Sequence, residues 1–145
     1  MSTPTITVRV VTSEADRAAV FALREQVFVH EQGVPMDIEM DDLDAEADHF
    51  IARLGGRAVG TGRLVVEDGT GVLGRLAVAR AARGTGLGKA LVAEIERRAA
   101  ERGLEAVELH AQVHARGFYE HLGYVPEGDV FDEAGIPHIT MRKPV

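Results

Sequence analysis

The chain contains no cysteine, and this absence excludes several kinds of chemistry. Disulfide bonds, cysteine-based metal sites and covalent acyl-cysteine intermediates all require a thiol. The chain also lacks an apolar stretch of membrane-spanning length, and its first residues show no basic segment followed by an apolar run. We therefore expect a soluble, cytoplasmic protein with no membrane association.

Metal-binding motifs are missing as well. The histidines show no His-Glu-x-x-His spacing, which is the pattern of a zinc-dependent hydrolase. The acidic stretch between positions 37 and 48 lacks the glycine and the terminal glutamate of an EF-hand. The sequence therefore predicts no metal site.

Positive charge is scarce relative to negative charge. The chain has 16 lysines and arginines against 23 aspartates and glutamates, a formal net charge of −7. Nucleic-acid binding needs clustered Lys and Arg that displace counterions from phosphates, so this balance argues against it. An acidic protein can instead attract a cationic substrate.

The length and hydrophobic content fit one domain. The chain has 145 residues, of which 46% are hydrophobic, and these supply one substantial core. No internal repeat, low-complexity tract or linker divides it. We predict a single domain over residues 1–145.

The first half of the chain reads as a strand, a helix and a β-hairpin. Apolar and polar residues alternate from position 6 to 10, and Ser13 can cap a helix that runs to Phe28. Segment 33–47 is predicted as an acidic loop. Strands at 49–54 and 57–66 are joined by Gly55-Gly56, a dipeptide suited to a tight turn.

The second half alternates strands and helices. A strand at 72–78 leads into a glycine-rich segment, and apolar residues at four-residue spacing from Leu87 to Ala99 then predict a helix that Gly103 ends. Strands at 106–111, 124–131 and 138–142 and a short helix at 115–122 follow. The architecture is therefore α/β with a mixed sheet.

The segment Arg83-Gly84-Thr85-Gly86-Leu87-Gly88 lies between the strand and the helix. Glycines there let backbone N–H groups approach an anion, and the helix N-terminus adds a partial positive charge. An ordinary tight turn is the simplest alternative. A P-loop is excluded because Ala90, not Ser or Thr, follows Gly88-Lys89, and a dinucleotide fingerprint would lie in a first β-α-β unit.

Two motifs in the correct order identify a family resemblance. Arg83, Gly86 and Gly88 match the Gln/Arg-x-x-Gly-x-Gly/Ala signature of the GCN5-related N-acetyltransferase (GNAT) superfamily. A second segment resembles that family's Asn-x-x-Ala-x-x-Leu-Tyr-x-x-x-Gly-Phe pattern through Gln112, Ala115, Phe118, Tyr119, Gly123 and Tyr124. The likeness extends over nearly the whole chain, and residues 27–32 and 135–138 resemble the ElaA-like subgroup.

The resemblance implies a single-domain fold and a coenzyme. The fold is a mixed, mostly antiparallel sheet of about six or seven strands with a splayed central strand pair, flanked by about four helices. The cofactor is acetyl-CoA (coenzyme A), with its pantetheine arm against one splayed strand and its pyrophosphate in the glycine-rich loop. The implied coenzyme-binding residues are Leu76, Ala77, Val78, Arg83, Gly84, Thr85, Gly86, Leu87, Gly88, Lys89, Gln112, Phe118 and Tyr119.

The family also implies a general acid. Tyr119 corresponds to the tyrosine beside the coenzyme sulfur, and a phenol stays protonated at neutral pH because its usual pKa is near 10. The Val78 N–H is the most economical donor to the developing oxyanion. Gln112 replaces the usual asparagine, which leaves its contact with the coenzyme open.

The general base is not specified by the motifs. Some members carry a Glu early in the strand before the phosphate loop, but this chain has Val72, Leu73 and Gly74 there. The candidates are Glu31, Asp44, His49, His110 and His138, or a water that relays the proton. Of these we predict catalytic roles for Glu31 and His110, and the predicted acceptor-binding residues are Phe28, Glu31, Gln32, His110 and His138.

An acidic run precedes the first hairpin strand and consists of Asp37, Glu39, Asp41, Asp42, Asp44, Glu46 and Asp48. A solvated loop is the favoured interpretation, and electrostatic recruitment of an amine is the alternative.

Two functions compete. The first is direct transfer of an acetyl group to a primary amine of a small molecule or peptide. The second is a non-catalytic acyl-CoA sensor that binds a protein partner. Acyl-homoserine-lactone synthases share a loose likeness at residues 27–32 and rank third. A homodimer is a further possibility.

Overall fold

The computed structural model describes residues 5–145, apart from the side chains at positions 37 and 38. Asp37, a member of the acidic run, therefore has a side chain that lies outside the described residues. Seven strands form one sheet: β1 (Ile6–Val10), β2 (Asp48–Leu54), β3 (Arg57–Glu67), β4 (Thr70–Val78), β5 (Ala106–Gln112), β6 (Val125–Glu133) and β7 (Ile136–Pro144).

Four α-helices accompany the sheet: α1 (Glu14–Arg24), α2 (Met36–Glu39), α3 (Leu87–Glu101) and α4 (Arg116–His121). The Ser13 cap of α1 is confirmed, since Ser13 Oγ accepts a hydrogen bond from the Asp16 N–H. The predicted continuation to Phe28 is a π-helix, Glu25–Glu31. Short 3₁₀ turns occupy Asp42–Ala45, Arg80–Ala82 and Val113–Ala115.

The strand order is β1-β2-β3-β4-β5-β7-β6. Every neighbouring pair is antiparallel except β4 and β5, which are parallel. Their register pairs Thr70 with Ala106 and runs only as far as Leu73 with Leu109. Beyond that point β4 stays with β3 and β5 stays with β7, so the sheet opens in its middle. The predicted mixed sheet with a splayed central pair is confirmed.

Helix α3 packs very closely on β3. Its residues Leu87, Leu91 and Ile95 are buried, and a Cβ added at Gly60 would lie 2.5 Å from Leu87 Cδ2 and 3.1 Å from Leu91 Cδ1. The missing side chain lets the helix approach the strand at this point. Leu87 starts the helix directly after the glycine-rich loop, so this contact also sets the position of that loop.

The interpretation of the acidic run as a solvated loop is wrong for Glu39 and Asp44, which are buried. The guanidinium of Arg24 is fully buried and donates from Nε to Glu39 Oε1 at 2.7 Å and from Nη1 to Asp44 Oδ1 at 2.7 Å. Arg63 donates from Nη1 to Asp41 Oδ1 at 2.6 Å and to Asp44 Oδ1 at 2.9 Å. The segment folds into α2 and a 3₁₀ turn because its carboxylates bind arginines that lie far away in the sequence.

Arg75 on β4 completes this group, which we call the arginine–carboxylate cluster (Arg24, Glu39, Asp41, Asp44, Arg63 and Arg75). Its Nε donates to the Glu39 carbonyl at 3.0 Å, and its Nη2 donates to Asp41 Oδ2 at 3.2 Å. The three arginines and three carboxylates give the cluster a formal net charge of zero. The cluster ties α1 and α2 to β3 and β4.

Replacing Gly60 by Ala should destabilise the protein by about 1–3 kcal/mol, because the new methyl group overpacks the contact between α3 and β3. Urea unfolding followed by circular dichroism measures the change. Gly117→Ala is the matched control, since a Cβ there meets no heavy atom within 4 Å and Ala favours the helix. Equal stability of the two variants would contradict this account of the packing.

Replacing Asp44 by Asn should lower the free energy of unfolding at neutral pH by about 3–5 kcal/mol, because two buried guanidiniums lose a shared carboxylate. Burial raises the pKa of Asp44, but hydrogen bonds and charges from Arg24 and Arg63 outweigh it and hold that pKa below its usual range.

The destabilisation by Asp44→Asn should therefore depend on pH. A carboxyl group whose pKa is lowered on folding stabilises the protein above its unfolded-state value of 3.8, and this stabilisation is lost as pH falls through the folded-state pKa. The difference in the free energy of unfolding between the parent chain and Asp44→Asn should become smaller as the pH falls. Asp42→Asn, at an exposed position of the same turn, is the control, and a similar loss in both variants would contradict the prediction.

Candidate active site

The diverging ends of β4 and β5 frame a cleft of about 940 Å³. It passes through the opening of the sheet. Its lining comes from the π-helix, the segment from Glu39 to Leu43, β3, β4, the glycine-rich loop with the start of α3, the end of β5, the 3₁₀ turn after it, α4 and the β6–β7 hairpin. Because the strands part at the middle of the sheet, backbone from both strand ends meets side chains from the other lining segments.

A bulge in β4 bends that strand away from β5. The register with β3 shifts between the pairs Arg63–Gly74 and Thr61–Ala77, and Arg75 within the bulge has φ of +53°. Positive φ is uncommon for a residue with a side chain, and bulges bend the strand that carries them. The guanidinium of Arg75, held in the arginine–carboxylate cluster, fixes this conformation.

The cleft-facing edge of β4 ends at Val78. The Val78 carbonyl accepts a hydrogen bond from Arg83 Nε at 3.0 Å, whereas the next N–H, that of Ala79, donates to the Val59 carbonyl on β3. The N–H and C=O of one strand residue point to the same edge. The Val78 N–H therefore points away from β3 and toward the opening.

The glycine-rich loop turns the chain from the 3₁₀ segment into α3. Gly84 and Gly86 have φ of +79° and +85°, a region that other residues rarely adopt. Gly88 lies within the first turn of α3, and a Cβ there would make an ordinary contact, 3.5 Å from Phe118 Cζ. The first N–H groups of a helix have no acceptor within it, so this turn has the donors that an anion needs.

Arg83 extends the positive end of this helix. Its Nη2 donates to Glu31 Oε2 at 2.7 Å, so the loop is linked to the π-helix across the cleft. Arg80, which is more exposed, lies 3.6 Å from the other oxygen of Glu31. An anion bound in the loop would therefore contact the same Arg83 guanidinium that donates to Glu31.

Gln112 at the end of β5 and Tyr119 on α4 close the other lip of the cleft. Gln112 Nε2 donates to Gln32 Oε1 at 2.8 Å, which links β5 to the π-helix. Tyr119 is buried and packs edge-to-face on Phe118 at 5.0 Å and on Tyr124 at 5.9 Å. Burial raises the pKa of Tyr119 to about 12, so its phenol is protonated at neutral pH.

The opposite wall is built from histidines and a glutamate of the last three strands. Glu133 Oε1 lies 3.0 Å from His110 Nδ1, and Glu133 Oε2 lies 3.5 Å from His138 Nε2. The sequence predicted both histidines but not Glu133. The signal that could have found it is Ala134-Gly135, which forms the turn of the β6–β7 hairpin and places Glu133 opposite Ile136.

The structure brings nearly all the predicted site residues to one cleft. Every predicted acceptor-binding residue lines it, as does every predicted coenzyme-binding residue except Thr85. The Thr85 hydroxyl instead donates to the Ala82 carbonyl and supports the loop from within. The roles of the lining residues stay predictions.

Two candidate bases lie elsewhere. Asp44 belongs to the arginine–carboxylate cluster, and His49 is buried with its Nε2 2.9 Å from the Asp44 carbonyl. Burial lowers the pKa of His49. Neither residue lines the cleft.

Across residues 5–145, leaving aside the side chains at 37 and 38, no three His, Asp or Glu side chains are arranged to hold a metal ion. In the same part of the chain, no helix has both the length and the apolar character needed to cross a membrane.

Comparisons with known proteins agree with this geometry. A family model described as an acetyltransferase (GNAT) domain matches residues 11–145. A Bacillus subtilis (strain 168) protein named uncharacterized N-acetyltransferase YjcF is 40% identical over 124 residues, covering 85% of this chain and 89% of the relative. Protein ElaA of Escherichia coli (strain K12) is 35% identical over 132 residues, covering 88% and 86%.

A solved structure described as an acyl-CoA N-acyltransferase from Pseudomonas aeruginosa superposes on the chain with a TM-score of 0.84. It is 34% identical, and the match covers 97% of this chain and 99% of that one. The match over almost the whole length, together with the diverging strand pair and the glycine-rich loop, identifies the family. The chain belongs to the GNAT acetyltransferase family.

Proposed function

We propose that this protein transfers an acetyl group from acetyl-CoA to a primary amine of a small molecule or peptide by direct attack in a ternary complex. The observation that carries the proposal is the continuous cleft between β4 and β5. It connects an anion-binding helix terminus, a buried tyrosine and a wall of histidines. Direct transfer requires donor and acceptor sites that meet at one point, and this cleft supplies both.

The donor side fits coenzyme A. Residues Leu76, Ala77 and Val78 end a strand whose outer edge is left without a β5 partner, so it can pair with the amide groups of a pantetheine arm. The loop of Arg83 to Lys89 presents helix N–H groups and a guanidinium, which suit a pyrophosphate. Phe118 and Gln112 border the same side of the cleft.

The reaction needs a proton for the leaving sulfur and a donor for the oxyanion. Tyr119 supplies the proton, since its pKa of about 12 keeps the phenol protonated across the physiological range. The Val78 N–H, which faces the opening, supplies the hydrogen bond to the oxyanion. Acetyl-CoA contributes the activated thioester, and the chain positions and polarises it.

Glu31 lies between the coenzyme side and the acceptor side of the cleft. Its carboxylate accepts from Arg83 at 2.7 Å, so it holds the residue that we assign to the pyrophosphate. The second oxygen of this carboxylate lies 3.6 Å from Arg80, so both of its oxygens face guanidinium groups. We therefore place Glu31 and the neighbouring Phe28 and Gln32 in the acceptor wall. The role of proton acceptor is assigned to another group.

Replacing Tyr119 by Phe should reduce kcat by about 100-fold or more, because the leaving sulfur loses its proton donor. The affinity for acetyl-CoA, measured by calorimetry, should change little. Tyr124→Phe is the control, since the Tyr124 hydroxyl donates to Glu96 and does not line the cleft. If Tyr119→Phe turns over like the parent chain between about pH 6 and 9, Tyr119 is not the acid.

Replacing Arg83 by Gln should raise the KM for acetyl-CoA by about 10-fold or more, because a charge-assisted contact to the pyrophosphate is lost. Arg80→Gln is the matched control, as Arg80 is exposed, lies near the same carboxylate and does not line the cleft. Steady-state kinetics at varied acetyl-CoA concentration gives the KM of each variant. An unchanged KM in Arg83→Gln would remove this residue from the coenzyme site.

The transfer itself is tested with acetyl-CoA and a panel of primary amines and peptides, with free coenzyme A released as the signal and mass spectrometry on the acceptor. Acetylation of an amine supports the proposal. Binding of acetyl-CoA without transfer to any amine would instead support a sensor that binds acyl-CoA.

A further inference from the structure

Glu133 lies between the two imidazoles of the acceptor wall. Its two carboxylate oxygens face different rings: Oε1 is 3.0 Å from His110 Nδ1 and Oε2 is 3.5 Å from His138 Nε2. The three residues come from β6, β5 and β7, and all three line the cleft. The β6–β7 hairpin brings Glu133 and His138 together because Phe131 pairs with His138 and Glu133 pairs with Ile136. The pairing of β5 with β7, in which His110 lies opposite Thr140, adds His110.

The backbone fixes the tautomer of His138. Its Nδ1 lies 2.7 Å from the Ile136 carbonyl, which can only accept, so Nδ1 carries the hydrogen. In the neutral ring, Nε2 then holds a lone pair. When Nε2 takes a proton, the cationic ring faces Glu133, and the carboxylate stabilises that charged form.

Packing holds one ring still and leaves the other near solvent. His138 is buried and stacks on Phe131 with ring centroids 6.1 Å apart. His110 contacts the same ring edge-on at 5.1 Å, but 44% of its side chain is exposed. A proton that reaches His138 therefore has an exposed neighbour at the same carboxylate.

Other charged and polar groups line the cleft with His138 or lie on the strands next to it. From β5, Glu108 and Gln112 line the cleft beside His110, and Gln112 donates to Gln32. From the π-helix, Glu31 is paired with Arg83. On β6, Asp132 is opposite Pro137 in the register.

The facing part of β4 carries no base. Val72, Leu73 and Gly74 have no titratable side chain, and Arg75 belongs to the arginine–carboxylate cluster. A base for the acceptor must therefore come from another wall of the cleft.

We propose that His138 accepts the proton of the acceptor amine at Nε2 and that Glu133 is a positioning residue that stabilises the protonated ring and links it to His110. This inference rests on the proposed function and adds the acceptor half of its chemistry. His138 is the catalytic residue of this wall, and Glu133 acts through it.

The proton balance closes. The acceptor ammonium gives one proton to His138 Nε2, and the freed nitrogen lone pair forms a bond to the acetyl carbonyl carbon. The bond between that carbon and sulfur breaks with its electron pair on sulfur, which takes the proton of Tyr119. The nitrogen releases a second proton, which returns through water to Tyr119, while His138 passes its proton to solvent by way of His110. One proton is released overall.

His138→Ala tests the proton acceptor. We expect kcat to fall by about 100-fold with little change in the KM for acetyl-CoA, because the ring lies on the acceptor wall. Added imidazole should restore at least a tenth of the lost turnover by filling the vacated space with a free base. His121→Ala, on an exposed part of α4 outside the cleft, should behave like the parent chain with and without imidazole.

Glu133→Gln tests the positioning residue, because it keeps the size of the side chain and removes the charge. We expect kcat to fall by about 10-fold with little change in the KM for acetyl-CoA, since the protonated ring loses the opposite charge that faces it. Glu133→Asp should recover part of the loss. Glu127→Gln, at an exposed position of the same strand, should leave both parameters unchanged.

Circular dichroism and calorimetry with coenzyme A establish that each variant folds and binds. If the parent chain acetylates amines and His138→Ala keeps full turnover, the inference fails and the proposed function stands. A folded His138→Ala that loses turnover without rescue by imidazole, or a Glu133→Gln that matches Glu127→Gln, also overturns it. If the parent chain binds acetyl-CoA and acetylates no amine, the proposed function fails first.

Discussion

The pairing of β4 with β5 stops at Leu73 and Leu109, and the cleft exists because it stops there. Two parallel strands that remained paired would cover the middle of the sheet and satisfy the backbone groups of Leu76 to Val78. The bulge at Arg75 turns β4 toward β3 at the point where β5 continues along β7. The separation leaves an unpaired strand edge inside the protein, where a ligand with amide groups can take the place of a strand.

Two packing arrangements hold the strands in this open form. On one face, Gly60 admits Leu87 so closely that the helix start and the glycine-rich loop have a fixed position over the end of β4. On the other face, the arginine–carboxylate cluster holds Arg75 and ties it to α1 and α2. A charge left without its partner inside the protein is costly, so the cluster favours one arrangement of these elements.

The proposed donor and acceptor sides differ in how they are built. The donor side uses backbone groups and a helix terminus, whose properties follow from local conformation and the signature residues of one loop. The acceptor side uses side chains from β5, β6, β7 and the π-helix, which are distant in sequence. Glu133, His110 and His138 form one group only because the registers of β5 and β6 with β7 place them side by side. The family likeness therefore defines the donor chemistry better than the acceptor chemistry.

The sequence alone determined the order of the strands and of α1, α3 and α4, the single domain, the glycine-rich loop and the resemblance to the GNAT family, since these depend on local periodicity and short motifs. It predicted a solvated loop for the acidic run from Asp37 to Asp48, because nothing local shows that Glu39 and Asp44 meet Arg24. The Ala134-Gly135 turn is a local signal near Glu133, but the contacts of Glu133 with His110 and His138 depend on tertiary structure. Long-range ion pairs and the register of the last hairpin are decided by tertiary packing, which brings together charges that lie far apart along the chain.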